Sequence, residues 1–256
     1  MLEEGEAVYL LDESGKRTWM KVSFGMAAVP SLGTVDGSKL RGLGDGSPVE
    51  IAGRRFTLFR PGTVELMESL ERGAQIITPK DAATILMHCD IASGKTVIEV
   101  GAGSGGMTTA LLRAVAPGGR VHTIELKREN AERALRNVRR AGLDAHWSYS
   151  IEDAREARPE MEADALVMDM PDPWLALPGL IGSLRPGGRL CAYVPNANQV
   201  EETVVAMRSM GFAEVRALEN IQRGMDVHPG GVRPASDTMA HTGYMVFGRR
   251  VARGGA

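Results

Sequence analysis

Thr96-Val97-Ile98-Glu99-Val100-Gly101-Ala102-Gly103-Ser104-Gly105-Gly106 is the stretch whose reading decides the fold. Its first five residues are a short, mostly β-branched run without a breaker, the pattern of a buried parallel strand. Four of the next six are glycines, and Met107–Val115 (MTTALLRAV) then reads as a helix. Glycines let the backbone turn sharply and approach a ligand, and the start of a helix offers free N–H groups. Strand, glycine turn and helix in this order predict a nucleotide-type cofactor site.

Two cofactor classes fit it. Gly101, Gly103 and Gly106 satisfy GxGxxG, and Glu125 ends the next apolar run at about the spacing that grips a ribose in NAD enzymes. S-adenosylmethionine sites share the same unit, usually with an acid two residues before the first glycine. Glu99 is that acid here, and a carboxylate at this point can serve the methionine part of the cofactor. The turn alone leaves both classes open.

Composition narrows the remainder. With 43% hydrophobic and 24% charged residues, the chain has the balance of a soluble globular protein able to bury a core. No apolar stretch approaches the roughly 20 residues of a membrane span. The acidic start, MLEEGEAVYLL, lacks the order of a signal peptide, so the cytoplasm is the expected location. Cys89 and Cys191 lie far apart in sequence and the five histidines are scattered, so no metal site is expected. A net charge of −2 excludes a generic polyanion binder; nucleic-acid contact would need local basic patches.

Residues 1–61 read as a small β domain, with Pro61-Gly62 as its boundary and residues 62–256 as the cofactor domain. Val8–Leu11 with Thr18–Val22, and Pro48–Ile51 with Arg55–Phe59, form two hairpins around a glycine-dotted segment, which suggests a little barrel. Its Lys39, Arg41, Arg54, Arg55 and Arg60 are either solvated hairpin edges or an RNA-contacting face. Thr63–Arg72 is expected as a helix capped by Thr63, and Ala82–His88 as one capped by Asp81. Val121–Glu125, Ala145–Ser150, Ala165–Met168 and Leu190–Val194 continue the strands, the last entered through a turn at 184–190. Helices are expected over Lys127–Ala141 and Gln199–Met210, the first carrying a solvated face of arginines. Phe212–Glu219 and Thr242–Arg249 flank a long loop and close the sheet as a hairpin. The alternation predicts an α/β fold, a Rossmann-like doubly wound sheet whose last strand is antiparallel.

Asp169-Met170-Pro171-Asp172-Pro173-Trp174 is the second informative stretch. Ligands in open α/β sheets lie beyond the carboxyl ends of the strands, so Asp169 is expected in the same crevice as Gly103. Pro171 and Pro173 stiffen the segment, and Trp174 offers a flat face for a base.

Together these stretches resemble the tRNA (adenine-N1)-methyltransferase family that modifies the T-loop adenine. The likeness covers nearly the whole chain: the small β domain, GAQIITPKD, VIEVGAGSGG, Glu125, the EDAR loop, DMPDPW and the VRP…HTGYMVFGRR ending. It implies a class I methyltransferase that uses S-adenosyl-L-methionine to methylate N1 of adenine 58 of tRNA, with adenine 57 as an open second target. By position it implies that Ser104, Gly105 and Gly106 meet the methionine end and Glu125 the ribose. Asn130 and Ile77 would lie near the cofactor, and Asp153 with Ala154 would recognise its adenine. Asp169 would sit between cofactor and target base, as the catalytic residue. Thr78, Pro171, Trp174, Arg223, Arg233, His241 and Tyr244 fall on the substrate side. Many members have an aromatic or histidine where this chain has Thr78, which cannot stack. The resemblance also implies a homotetramer. Rival readings are a methyltransferase of another substrate, a silent tRNA-binding subunit and an NAD-dependent dehydrogenase.

Overall fold

The first hairpin closes on Asp12, whose Oδ1 accepts from the N–H groups of Ser14 (3.0 Å) and Lys16 (2.9 Å). This local capture of backbone donors is what makes aspartate a turn former. The computed structural model describes residues 1–71, 73 and 75–252. It divides into two compact units, Met1–Ser69 with Arg140–Gly142, and Leu70–Arg139 with Leu143–Ala256.

The first unit contains β1 (Ala7–Leu11), β2 (Arg17–Lys21), β3 (Met26–Val29), β4 (Gly33–Asp36), β5 (Pro48–Ile51), β6 (Arg54–Phe59) and the short α1 (Thr63–Glu68). An antiparallel sheet runs β2-β1-β6-β5, and β3 pairs with β4. Val8, Leu10, Phe56 and Leu58 from the sheet share one core with Val29 and Val35 from the pair. The unit is therefore barrel-like without a closed ring of strands. The β3–β4 pair lies in and beside the glycine-dotted segment, where no apolar run announces strands. Gly62, not Thr63, caps α1: its N–H donates to Glu65 Oε2 at 3.0 Å. The helix stops at Glu68 rather than at Arg72, which lies outside the described residues.

The second unit contains α2 (Pro79–His88), β7 (Thr96–Val100), α3 (Gly106–Val115), β8 (Arg120–Glu125), α4 (Arg128–Arg140), β9 (Trp147–Ile151), β10 (Ala163–Asp169), α5 (Pro173–Leu180), β11 (Leu184–Val194), α6 (Ala197–Ser209), β12 (Ala213–Glu219), β13 (Met225–His228), β14 (Gly231–Pro234) and β15 (Tyr244–Arg249). Its seven-stranded sheet runs β12-β15-β11-β10-β7-β8-β9. The central pairs are parallel, and β15 inserts antiparallel between β11 and β12. This is the doubly wound α/β fold with an antiparallel last strand that the sequence predicts.

Three local readings change. Helix α2 begins at Pro79, with Thr78 extended before it (φ −70°, ψ 156°). Proline needs no N–H partner at a first helical position and keeps its predecessor out of the α region. Asp81 therefore sits inside the first turn and is released from capping. The Leu184–Leu190 segment is strand rather than turn, with a register shift against β10 near Ala163. The long loop before β15 holds the β13–β14 hairpin. Among the described residues no helix is long and apolar enough to cross a membrane.

Candidate active site

At the carboxyl ends of β7, β8, β9 and β10 a cleft of about 570 Å³ opens. It gathers Gly101 and Gly103, Glu125 and Asn130, Asp153 and Ala154, and Asp169 and Pro171 from four consecutive βα connections. Topology brings them together, because parallel strands deliver every such loop to one edge of the sheet.

Glu125 ends β8, and its carboxylate is fixed from both sides. Oε2 accepts from the backbone N–H of Ala102 (2.8 Å) and Gly103 (3.1 Å). Oε1 accepts from the Lys127 N–H (2.9 Å) and from Asn130 Nδ2 (3.4 Å). One acid thus staples the glycine turn to the start of α4 while lining the cleft. Gly101 has φ +86°, and a Cβ there would stand 2.2 Å from the Asp169 carbonyl oxygen. Only glycine lets β7 and β10 end so close together. A Cβ on Gly103 would meet nothing within 4 Å, so the turn leaves open space on its cleft side.

Asp169, the last residue of β10, has an open side chain at the floor of this crowded cleft. Enclosure by protein and then the charge of Glu125 raise its pKa to about 7. Asp153 accepts from the Arg155 guanidinium (Nε to Oδ1 2.9 Å, Nη2 to Oδ2 2.6 Å), which holds its carboxyl below the ordinary range. Arg155 also reaches Asp172 at 3.3 Å, joining the loops after β9 and β10 at the cleft.

Glu99 is on β7, buried beneath this turn. Its Oε2 accepts the hydroxyls of Thr108 (2.8 Å) and Thr123 (2.6 Å), and Oε1 is buried with no hydrogen-bond partner. Burial raises its pKa to about 8 against those two hydrogen bonds, with the charges of Asp169 and Glu125 adding to the rise. An orphaned buried carboxylate oxygen, a turn open on one side and a ribose-type carboxylate fit a cofactor that carries an adenosyl group and an ammonium.

Other expected residues lie elsewhere. Ser104 is buried: its Oγ accepts from the Gly73 N–H and its carbonyl from Asn137 Nδ2 (2.9 Å), so it braces the turn. Gly105 caps α3 in the left-handed region, and a Cβ on Gly106 would press on Ile76 at 3.2 Å. Ile77 is buried in the core. None of these four belongs to the cleft wall: Gly105 faces Ala134 of α4, and Gly106 faces Ile76. Thr78 donates to Asp81 Oδ2 at 3.0 Å. Trp174 is half-buried in the first turn of α5 and also stands off the wall.

The rings of His241 and Tyr244 pack tilted at 47° with centroids 4.7 Å apart, and His241 bonds Glu219 at 2.6 Å and the Pro195 carbonyl at 3.0 Å. Arg223 reaches the Ala235 carbonyl at 3.4 Å, and Arg233 pairs with Asp226 at 3.4 Å across the β13–β14 hairpin. Arg249 lies at the opposite pole from the cleft, because antiparallel β15 sets it against Arg189 at the start of the parallel strands.

The cleft also holds Leu126 and Lys127, which lie outside every motif, and Gln75, Glu152, Arg155 and Asp172, which lie within the motifs but without an expected role of their own. Leu126 carries a sequence signal, an isolated apolar residue directly after the ribose-type acid, and it is 58% exposed. Among the described residues no cluster of His, Cys, Asp and Glu could hold a metal ion.

The family model described as tRNA methyltransferase complex GCD14 subunit matches residues 61–231. The chain belongs to this family. It is 30% identical over 267 residues to the tRNA (adenine(57)-N(1)/adenine(58)-N(1))-methyltransferase TrmI of Methanocaldococcus jannaschii, covering 94% of this chain and 93% of that one. It is 34% identical to the tRNA (adenine(58)-N(1))-methyltransferase TrmI of Thermus thermophilus over 77% of this chain and 78% of its relative. Among solved structures, an S-adenosylmethionine-dependent O-methyltransferase from Thermotoga maritima superposes with a TM-score of 0.87 at 30% identity, covering 100% of this chain and 96% of that one. The tRNA (m1A58) methyltransferase TrmI of Aquifex aeolicus gives 0.79 at 28% identity, over 98% and 99%. Family membership decides between the two cofactor classes that the glycine turn leaves open, in favour of S-adenosylmethionine.

Proposed function

We propose that this protein transfers a methyl group from S-adenosylmethionine to N1 of adenine 58 in the T-loop of tRNA. The observation that carries this reading is a single cleft uniting the glycine turn, Glu125 and Asp169 in a chain of this family. S-adenosylmethionine, when bound, supplies an electrophilic methyl group on a positively charged sulfur. Glu125 orients the ribose hydroxyls, Asn130 and Ala154 flank the adenosyl group, and Asp153 accepts from the exocyclic amine of its adenine. Ser104, Gly105, Gly106 and Ile77 act from behind, fixing the shape of the turn.

Adenine N1 presents a lone pair at neutral pH and needs no base to expose it. The work of the site is alignment, and positioned reactants gain large factors in rate. As N1 gains its methyl group the base becomes positive, and the Asp169 carboxylate stabilises it by accepting from the N6 amine. The target base leaves its stack at a cost of a few kcal/mol, which stacking on one aromatic (about 1–3 kcal/mol) offsets. Trp174 and the His241–Tyr244 pair are the candidates, since Thr78 is committed to Asp81. Pro171 shapes the entrance, and Arg223 and Arg233 meet phosphates. Residues 62–256 form the catalytic domain and 1–61 an RNA-facing appendage. The exposed Met225, Val227 and Val232 of the β13–β14 hairpin suit self-association as a homotetramer, and a tRNA substrate suits the cytoplasm.

The test mixes purified protein, labelled S-adenosylmethionine and an unmodified tRNA transcript, and identifies the labelled nucleoside by mass spectrometry. 1-Methyladenosine from the T-loop is the expected product. Label on a ribose oxygen would favour methyl transfer to oxygen, as named for the Thermotoga relative. Cofactor binding without transfer would favour a methyltransferase of another substrate, and neither binding nor transfer a silent tRNA-binding subunit.

A further inference from the structure

Three strands and one helix converge on Glu99. Trp147 Nε1 on β9 donates to Thr123 Oγ1 on β8 at 2.7 Å. Thr123 in turn donates to Glu99 Oε2 on β7 at 2.6 Å, and Thr108 of α3 donates to the same oxygen at 2.8 Å. The direction of this chain is forced. An indole N–H can only donate, so Thr123 accepts from it, and its single hydroxyl proton is left for Glu99. The Thr108 hydroxyl, in the first turn of α3, is 2.8 Å from the same carboxylate oxygen and donates to it.

Both hydroxyl protons therefore fall on Oε2, and Oε1 stays without a protein partner although Glu99 is only 1% exposed. A buried carboxylate with two hydrogen bonds on one oxygen and none on the other is costly unless a ligand completes it. Glu99 precedes Val100 and Gly101, both of which line the cleft. We propose that Trp147 and Thr123 are positioning residues that reserve Glu99 Oε1 for the α-ammonium group of the cofactor's amino-acid end. This rests on the S-adenosylmethionine reading above and adds to it two residues that never touch the ligand.

The groups facing Glu99 give the relay a second consequence. Glu125 at the end of β8 and Asp169 at the end of β10 add negative charge, while α3 presents the Thr108 hydroxyl. Burial and these charges raise the Glu99 pKa to about 8, so a proton is held near neutral pH, and Oε1 is the oxygen that no group among the described residues engages. An arriving ammonium needs that oxygen as an acceptor. The proton leaves to solvent, and the ionised oxygen accepts an ammonium N–H. Binding of a ligand with the amino-acid end then releases a proton, and a ligand without it leaves Glu99 protonated.

Isothermal calorimetry on the full chain tests this with two probes. S-adenosylhomocysteine carries the amino-acid end, and 5′-methylthioadenosine lacks it. Thr123→Val is expected to weaken S-adenosylhomocysteine about tenfold and methylthioadenosine less than about twofold. Thr123→Ser is expected to restore wild-type values, and Trp147→Phe to weaken only the first ligand, by about threefold. Repeating the wild-type titrations in buffers of different ionisation enthalpy at pH 7 should show proton release for S-adenosylhomocysteine alone. Equal losses for both ligands, or no loss for either, overturn the relay; if Thr123→Val does not fold, Trp147→Phe and Thr123→Ser decide. Wild-type protein that binds neither probe overturns the cofactor reading itself, which separates the two failures.

Discussion

Two buried carboxylates, Glu99 and Asp81, are held in opposite ways. Asp81 is fully buried with a cation: Lys80 Nζ lies 2.7 Å away, and the hydroxyls of Thr242 (2.7 Å), Thr78 (3.0 Å) and Tyr193 (3.2 Å) donate to it. Lys80 also donates to the Asn220 carbonyl and the Thr242 hydroxyl, and Asn220 Nδ2 returns bonds to the Lys80 carbonyl and Thr84. This closed network ties α2 to the ends of β11 and β12 and to the entry of β15. Glu99 has hydroxyls but no cation, and one oxygen is unpartnered. A neutralised carboxylate with every oxygen occupied is a structural fastening. One without a counter-charge is held for a positive ligand at the expense of stability.

The comparison can be broken most directly at Lys80. Lys80→Met removes the cation and leaves Asp81 buried, so a loss of about 3–5 kcal/mol is expected in denaturant unfolding. A loss below 1 kcal/mol would mean that the network does not need its charge balance.

Asp169, which lines the cleft, should act on chemistry rather than on folding. Asp169→Asn is expected to lower turnover about 100-fold while moving cofactor affinity by less than about threefold. Because the ionised form does the work and its pKa is raised to about 7, wild-type kcat/KM should climb with pH and level off above that value. Rates flat from pH 5 to 8 would remove the carboxylate from the reaction.

Glu99→Gln sharpens the contrast at the other carboxylate. The folded state keeps the Glu99 proton to about pH 8, while the unfolded chain loses it near 4.5. Its contribution to stability is therefore fully present below 4.5 and is lost as pH rises toward 8. Relative to the Gln variant, the wild type should lose about 2 kcal/mol between pH 6 and 8. Parallel curves for the two proteins would show that Glu99 does not titrate in that window.

The smallest effect is expected at the surface. Arg233 is exposed and paired with Asp226, so Arg233→Ala should weaken tRNA binding only about twofold and slightly reduce its dependence on salt. A tenfold loss would make the hairpin a principal tRNA contact.

Much of this was legible along the chain because the signals are local. Residues 96–106 carry a strand, a turn and a helix start in eleven letters, and Glu125 and Asp169 each end a readable apolar run. Parallel topology then implies that such strand ends share one edge, so the cleft's main residues follow from sequence order alone. Less legible is what stands opposite. Ser104 lies in the glycine turn but off the cleft wall, where the Gly73 N–H and Asn137 of α4 engage its polar atoms, and Ile77 is buried in the core. Nor does the sequence show which pole a basic residue reaches: Arg249 stands away from the cleft because β15 runs antiparallel.

The amino-acid sequence by itself determined the α/β class, the glycine turn with its two acids, and the family likeness, since period, turn chemistry and motif spacing are written residue by residue. The tertiary structure alone decided the partners of the buried acids. Lys80 and its neighbour Asp81 meet Thr242 across 162 and 161 positions of chain, and Trp147 reaches Glu99 only through Thr123 on the strand between them. The cation beside Asp81 is its neighbour in sequence. But which hydroxyls close around each buried carboxylate, and whether one oxygen is left over for a ligand, depends on groups distant in sequence that only the packing of the sheet brings within hydrogen-bonding range.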